Sequence, residues 1–274
     1  VSSWDHTDLH LHSHHSDGQL SPRALMEFVA SQGVRVAALT DHDTVAGLGE
    51  AQEAAAALGL HWIAGIELSC SWMGRTVHVL GFHFDPQSSA MTLAIHDRQR
   101  LRHERLQRIL ERLHRAGVSS STTKPLTTLT VPTRTHIAHC LVAAGHAANP
   151  QQAFKRWLGA KGTAYVAVDW PSLTDTVGSI RAAGGIAVLA HPLRYTLSAG
   201  QRRQLLKEFQ QAGGEGLEAV SGGLNPSQLE TLRGLALRLG LKVSRGSDCH
   251  DPTLPWHQPS RLAKLHPSLT PLWD

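Results

Sequence analysis

The sequence predicts an α/β protein in which seven or eight strands close into a distorted β/α barrel, interrupted by a small helical insertion. Three observations lead there. Short apolar, β-like runs alternate with helix-like segments in both outer parts of the chain, the order that builds a largely parallel sheet. That rhythm breaks between residues 91 and 162, where the regular segments read as helix. Histidines and carboxylates recur at the ends of the apolar runs, where a barrel carries its working groups. The expected division is a barrel from residues 1–90 and 163–274 around an inserted helical domain at 91–162.

Residues 7–11 read as the first strand. Ser21 and Pro22 make an N-cap and first-position pair for a helix through Gln32, and Gly33 suits the place just past its end. A buried-strand pattern at 34–39 precedes an Ala-rich helix over 45–58 that stops at Gly59; strands follow at 61–68 and 76–82. Residues 95–115 form a long helix with Leu106, Ile109, Leu110 and Leu113 on one stripe and seven arginines largely off it. The plain reading of those arginines is a solvated face; the other is attraction for nucleic acid or phosphate. Residues 119–130 read as a Ser/Thr-rich loop, with shorter helices at 135–144 and 151–158. Strand 165–168, helix 173–183, strand 185–190, helix 199–212, strand 216–220, helix 226–239 and strand 242–245 complete the pattern. The proline-rich tail past Pro252 reads as wrapping loops.

A hydrophobic fraction of 41% and a charged fraction of 18% over 274 residues support a sizeable core and exclude a disordered chain. No run approaches the roughly 18 apolar residues of a membrane span. Residues 1–5 have neither the basic nor the apolar region of a signal peptide. Cys70, Cys140 and Cys249 form no CxxC pair, which argues against a disulfide framework and fits a reducing, cytoplasmic setting. The net charge of +4 and pI near 9.2 favour an anionic ligand.

Nine residues are candidate metal ligands: His10, His12, Asp17, His42, Glu67, His78, His191, Asp248 and His250. His10 and His12, two apart on a strand, point to the same face and can reach one ion. Asp17 in the Ser16-Asp17-Gly18 turn can join the same rim. His42 follows its strand directly; beside it Asp41 is expected to orient a ligand or fix the loop, and Asp43 to cap the next helix. Glu67 interrupts an apolar run, and a buried carboxylate needs a metal or a cation, best as a bridge between two ions. His78, between Val77 and Val79, reads when taken alone as a hydrogen-bonded core histidine. His191 closes a strand before Pro192, and Asp248 and His250 repeat the two-residue spacing. Cys249 reads as a small core residue, His14 and His15 as exposed. Recurrence at strand ends points to a multinuclear site and a metal-dependent hydrolase.

The ordered motifs DLHLHS, SDG, TDHDT, GIELS, TVHVLGF, AHP and GSDCH resemble the PHP (polymerase and histidinol phosphatase) superfamily from Asp8 to His250. Within it the chain is similar to the group of nucleoside 3′,5′-bisphosphate phosphatases and ribonuclease AM-type 5′→3′ exonucleases. Thr133-Arg134-Thr135-His136, Lys161-Gly162 with Tyr165-Val166, and His191-Pro192 with Arg194-Tyr195 carry that closer similarity. The resemblance implies a distorted seven-stranded barrel holding three divalent ions, commonly Mn²⁺, with Zn²⁺ or Fe²⁺ as alternatives. It implies His10, His12, Glu67 and Asp248 at one ion, Glu67, His78 and His191 at a second, and Asp17, His42 and His250 at a third. Arg134, His136 and Arg194 would contact substrate phosphate, with Lys161 a lesser candidate. Asp17, His191, Asp248, Arg134 and Arg194 are the residues implied in the reaction. Leu193 stands where relatives often carry Gly, a change expected to reshape the pocket floor.

The implied activity is hydrolysis of nucleoside 3′,5′-bisphosphates and of short 5′-phosphorylated single-stranded RNA or DNA. A hydroxide between two ions would attack phosphorus in line while arginine forks clamp the phosphate. A PHP phosphatase for another monoester, such as histidinol phosphate, is the competing enzyme reading, and a non-catalytic PHP binding module the competing non-enzyme reading. The arginines of the insertion favour the bisphosphate, and nine intact ligand positions argue against the binding module.

Overall fold

The computed structural model of the protein describes residues 3–272, so the reading of Val1 and Ser2 lies outside the described residues. A 3-10 turn (Ser3–His6) leads to β1 (Thr7–Asp8), α1 (Pro22–Ser31), β2 (Val36–Leu39), α2 (Leu48–Ala57), β3 (His61–Trp72) and β4 (Arg75–Phe82). The middle holds α3 (Ser89–Arg115), α4 (Ser120–Thr123), a 3-10 turn (Lys124–Thr128), α5 (Arg134–Ala143), and α6 (Pro150–Ala153) continued by a π turn (Phe154–Leu158). Then come α7 (Leu173–Ala182), β5 (Ile186–Leu189), α8 (Ala199–Gln211), β6 (Gly216–Ser221), α9 (Pro226–Leu239) and β7 (Lys242–Gly246). The chain divides into two compact units, residues 1–95 with 171–274, and residues 96–170.

The first unit is built on a seven-stranded sheet with its strands in sequence order. It is nearly closed: Leu9 N–H donates to the Arg245 carbonyl at 3.0 Å, and Leu11 bridges Cys249 in parallel. The α/β barrel expectation holds. The sheet is largely parallel, as expected, with one exception: β4 runs antiparallel to both β3 and β5. Only Met73 and Gly74 separate β3 from β4, both at positive φ (46° and 70°). Two such residues make a hairpin turn, whereas a parallel connection needs a crossover of a dozen or more.

Side chains alternate along the strands between two buried layers. Leu9, Ala38, Ile63, Leu80, Phe82 and Val188 pack together inside the barrel. Their strand neighbours Ala37, Leu39, Ile66, Val79, Ala187 and Leu189 pack outward with residues of the surrounding helices. The interior is thus plugged by apolar groups at one level. Further along β2, β3 and β5 the chain reaches His42, Glu67 and His191, so the polar groups collect at the other end of that plug.

The second unit has its own core, in which the α3 stripe of Leu106, Ile109, Leu110 and Leu113 meets Ile137, Leu141 and Trp157. Three expectations fail within it. Residues 119–130 are largely helical turns, because the Ser119 hydroxyl caps the Ser121 N–H and Pro125 suits the start of the next turn. Residues 165–168 form no strand; Val166 joins the helical core, and the Tyr165 carbonyl accepts from Arg112 Nη1. Arg98 and Arg102 are buried, so the arginine run is not simply a solvated face.

Candidate metal centre

The loops leaving β1, β2, β5 and β7 carry most of the candidate ligands, and the local chemistry holds each loop in place. Asp41 accepts from the Ser13 N–H (2.7 Å), the Ser13 hydroxyl (2.6 Å) and the Ser16 hydroxyl (2.6 Å), fixing the turn between His12 and Asp17 as its position suggested. At Gly18 a Cβ would lie 1.9 Å from the His12 carbonyl oxygen, so only glycine lets this turn fold back on the ligand strand. Asp43 is not a helix cap. Its carboxylate accepts the Ser69 N–H at 2.8 Å and the Ser69 hydroxyl at 2.9 Å, and α2 starts only at Leu48 with Gly47 in the cap position. The strand two residues past Glu67 outcompetes the distant helix for that carboxylate.

Glu67 lies at the middle of the cluster, fully buried. Its Oε1 is 3.0 Å from His78 Nδ1 and 3.0 Å from His191 Nε2. Its Oε2 is 2.9 Å from His42 Nδ1 and 3.3 Å from both His10 Nε2 and His12 Nε2. Five imidazoles therefore surround one carboxylate. Asp248 Oδ1 closes the His10 and His12 corner at 3.2 and 3.1 Å. Across the rim, Asp17 Oδ1 is 3.2 Å from His250 Nε2 and 3.8 Å from His42 Nε2. The reading of His78 as a core histidine is corrected: it belongs to this cluster, because Ser69 pairs with His78 across the β3–β4 ladder and puts its ring on the Glu67 face.

The charges in this cluster hold one another. Burial pushes the Glu67 carboxyl up, but His78, His10 and His42 hold it well below the usual range. Asp248 is likewise raised by burial and lowered further by Arg194, His10 and His250. Burial opposes protonation of His10, yet Asp248, Glu67 and Glu218 hold it well above an ordinary imidazole. His250 is raised to about 9 as Asp17 and Asp248 outweigh burial, while burial takes His42 down to about 4.

The residues fit divalent ions on their own geometry. His10 Nδ1 faces Glu218 Oε1 at 2.9 Å and donates to it, so whenever the ring is neutral its Nε2 lone pair stands against the oxygens of Glu67 and Asp248. Lone pair against carboxylate is repulsive unless a cation or a proton stands between them. Buried atoms without hydrogen-bond partners include His10 Nε2, His12 Nε2, Asp17 Oδ1, His42 Nδ1, Glu67 Oε2, His78 Nδ1 and His191 Nδ1. Ligands bound at about 2.0–2.2 Å to a common ion stand roughly 3 Å apart, close to the separations here. Three groups bring ligand atoms within 4.8 Å of one another: His10, His12, Glu67, Asp248; His12, Asp17, His42, His250; and His42, Glu67, His78. His191 reaches Glu67 without falling in any of the three.

Around them stand residues to which the sequence reading gave no role in the site. Glu218 is fully buried; besides His10 it takes the His191 backbone N–H at 2.7 Å. This support matters because His191 has a positive φ of 26°, which is costly for a residue with a Cβ. The signal for Glu218 was present, a lone carboxylate in the apolar run Gly216–Ser221, the same pattern that marked Glu67. Tyr195 donates its hydroxyl to the Ala190 carbonyl and accepts the His78 N–H, both at 2.9 Å, tying β5 to β4. Asp8 takes the Ser247 N–H at 2.8 Å.

Arg194 pairs directly with Asp248 Oδ2 and keeps a side chain that is 40% exposed. Leu193 is half-buried against the outer core, and Cys249 is buried in that same core. His14 is exposed and His15 half-buried. In the helical unit, Arg134 opens α5 with its guanidinium over the Phe154 ring, His136 closes a capping box with Thr133, and Lys161 is exposed on a turn.

Imidazoles and carboxylates converging at one end of a β/α barrel, with an arginine beside them, define a metal-dependent phosphoesterase, a hydrolase. The particular family follows from comparison. The chain matches the PHP domain family over residues 8–165 and belongs to it. It is 39% identical over 269 residues to the 5'-3' exoribonuclease of Haemophilus influenzae, covering 97% of each chain. It is 36% identical over 269 residues to the 3',5'-nucleoside bisphosphate phosphatase of Chromobacterium violaceum, covering 97% of this chain and 94% of that one. A solved structure of an amidohydrolase from Chromobacterium violaceum, with bound sulfate and no metal, matches with a TM-score of 0.91 and 35% identity over 98% of this chain and 94% of the other. The resemblance read from the motifs therefore holds. Among the described residues no helix is long and apolar enough to cross a membrane.

Proposed function

We propose that the protein releases the 3′-phosphate of nucleoside 3′,5′-bisphosphates and also acts at the 5′-phosphorylated ends of short single-stranded RNA or DNA. The observation that carries the hydrolytic part is the convergence of buried, unpartnered ligand atoms on Glu67. The substrate class is supported by two relatives that align with 97% of this chain at 39% and 36% identity and are named a 5'-3' exoribonuclease and a 3',5'-nucleoside bisphosphate phosphatase.

In this reading the cluster holds three divalent ions, Mn²⁺ first among them, with Glu67 shared. His10, His12 and Asp248 complete one group, His78 and His191 a second, and Asp17, His42 and His250 a third. Bound ions would supply an activated water and neutralise charge on the phosphoryl oxygens. The chain's own part is orientation. Glu218 and the Asp248 carbonyl, which accepts from His250 Nδ1 at 2.9 Å, fix the tautomers of His10 and His250. Arg194 offers a planar fork to phosphate beside the ligands. The inserted domain, 91–162 on the sequence boundaries, contributes Arg134, His136 and Lys161 to substrate phosphate.

A substrate panel on metal-loaded protein tests this. Phosphate release from adenosine 3′,5′-bisphosphate, and trimming of a 5′-phosphorylated oligonucleotide, are the expected results. Turnover of histidinol phosphate with neither of these would move the assignment to another monoester, and silence on every ester would make the chain a binding module.

A further inference from the structure

The loop that follows His250 is held in one shape. Thr253 donates its N–H (2.9 Å) and its hydroxyl (2.6 Å) to the Asp251 carboxylate, and the Asp251 N–H donates to His257 Nδ1 at 3.1 Å. The His257 N–H closes a 3-10 turn (Pro255–His257) on the Leu254 carbonyl at 3.0 Å. Gly222, just past β6, lets this turn lie against the barrel. A Cβ there would stand 2.0 Å from the Trp256 carbonyl oxygen and 2.7 Å from that of Ser247. Residues 251–257 are thus braced at the barrel end that carries the ligands.

From that brace, two rings step outward from the candidate metal centre. The His257 ring lies 5.8 Å from that of His250, centroid to centroid, and the Trp256 ring lies 6.2 Å from that of His257, nearly edge-on at 74°. The charged groups felt by His257 are His250, Asp248 and Arg194, all of them at the rim. Trp256 is 50% exposed, whereas every other tryptophan among the described residues is buried or half-buried. Tryptophan is highly buried on average, so an indole left this open beside a reaction centre asks for a partner. The open apolar area is one planar ring rather than a broad patch. That suits a planar ligand group better than a protein surface. Nucleobases stack on such a ring whatever their hydrogen-bonding edges, because every base has a π-face.

We propose that Trp256 is the shelf on which the base of the substrate nucleotide stacks while its phosphate lies at the metal rim, with His257 as the spacer between them. The proposal rests on the nucleotide reading given above and deepens it. Recognition by stacking demands no single base, and it places purines ahead of pyrimidines through their larger rings.

The test compares adenosine 3′,5′-bisphosphate with the same sugar bisphosphate lacking the base, in steady-state kinetics on metal-loaded protein. Trp256→Ala is expected to raise KM for the adenosine compound about tenfold or more, with kcat much less affected, and to move KM for the base-free compound far less. Trp256→Phe, which keeps a ring, should recover part of the loss. A second readout does not depend on turnover. Adenosine 5′-monophosphate, but not ribose 5-phosphate, should quench indole fluorescence in the wild type, and Trp256→Phe should remove that quenching. Equal KM changes for the two bisphosphates in Trp256→Ala, no quenching in the wild type, or quenching that survives in Trp256→Phe overturns the proposal and leaves the nucleotide reading standing. Turnover of neither bisphosphate by the wild type overturns both.

Discussion

Glu218 accepts the Nδ1–H of His10 at 2.9 Å, and its other oxygen takes the His191 backbone N–H at 2.7 Å. One carboxylate from β6 thereby aims a ring from the loop after β1 and holds the strained backbone after β5. Partners of this kind usually contribute 10–100-fold to metal affinity. Glu218→Ala is expected to lower metal affinity by about that range. Glu218→Gln keeps one acceptor oxygen and should lose less. Metal titration of both variants, with circular dichroism to verify folding, is the measurement; unchanged affinity in Glu218→Ala would sink the idea.

Loss of ligands should be harsher. His10→Ala, Asp17→Ala and His191→Ala are each expected to abolish phosphate release, with folding retained, when assayed in excess metal. Near-wild-type turnover in all three variants would remove the metal assignment altogether.

His250 gives the metal-free protein a pH signature. Asp17 and Asp248 outweigh burial and raise it from 6.5 to about 9. A raised folded-state value stabilises the protein fully below about 6.5, and that stability is lost as pH climbs through 9. The size is on the order of 3 kcal/mol at most. Thermal melts in EDTA should therefore fall between pH 6.5 and 9, and the slope should vanish with metal bound, because a ligating imidazole is neutral on both sides of the range. A flat profile in EDTA contradicts this account.

Asp43→Ala should destabilise the barrel by about 1–3 kcal/mol, since the Ser69 N–H and hydroxyl lose a buried acceptor. Urea unfolding reads the loss directly. Had Asp43 been a helix cap, Asp43→Ser would restore stability; here serine is too short to replace a two-oxygen acceptor, and no rescue is expected.

Gly18→Ala should disturb the metal rim more than the fold, because the added Cβ would lie 1.9 Å from the His12 carbonyl. Reduced metal affinity with a Tm shift of only a few degrees is the expected pattern. A variant that binds metal like wild type would show that the Asp17 turn can relax freely.

The nine candidate ligands were legible in the sequence because all but Asp17 end or sit within a short β-like run, and Asp17 lies in the turn that follows the first of them. Some helix limits were legible for a local reason: Ser21, Gly33 and Gly59 carry capping chemistry in their own side chains or backbone freedom. What local pattern cannot encode is the partner. Glu67 and Glu218 are both lone carboxylates in buried strands, and only the packed barrel makes one the common neighbour of five imidazoles and the other their support. Asp43 looks like a cap until the barrel brings Ser69 to it. The arginines of α3 look solvated until α5 covers some of them. Periodicity sets which face a side chain takes; the tertiary fold brings distant segments together, and so decides what that side chain meets there.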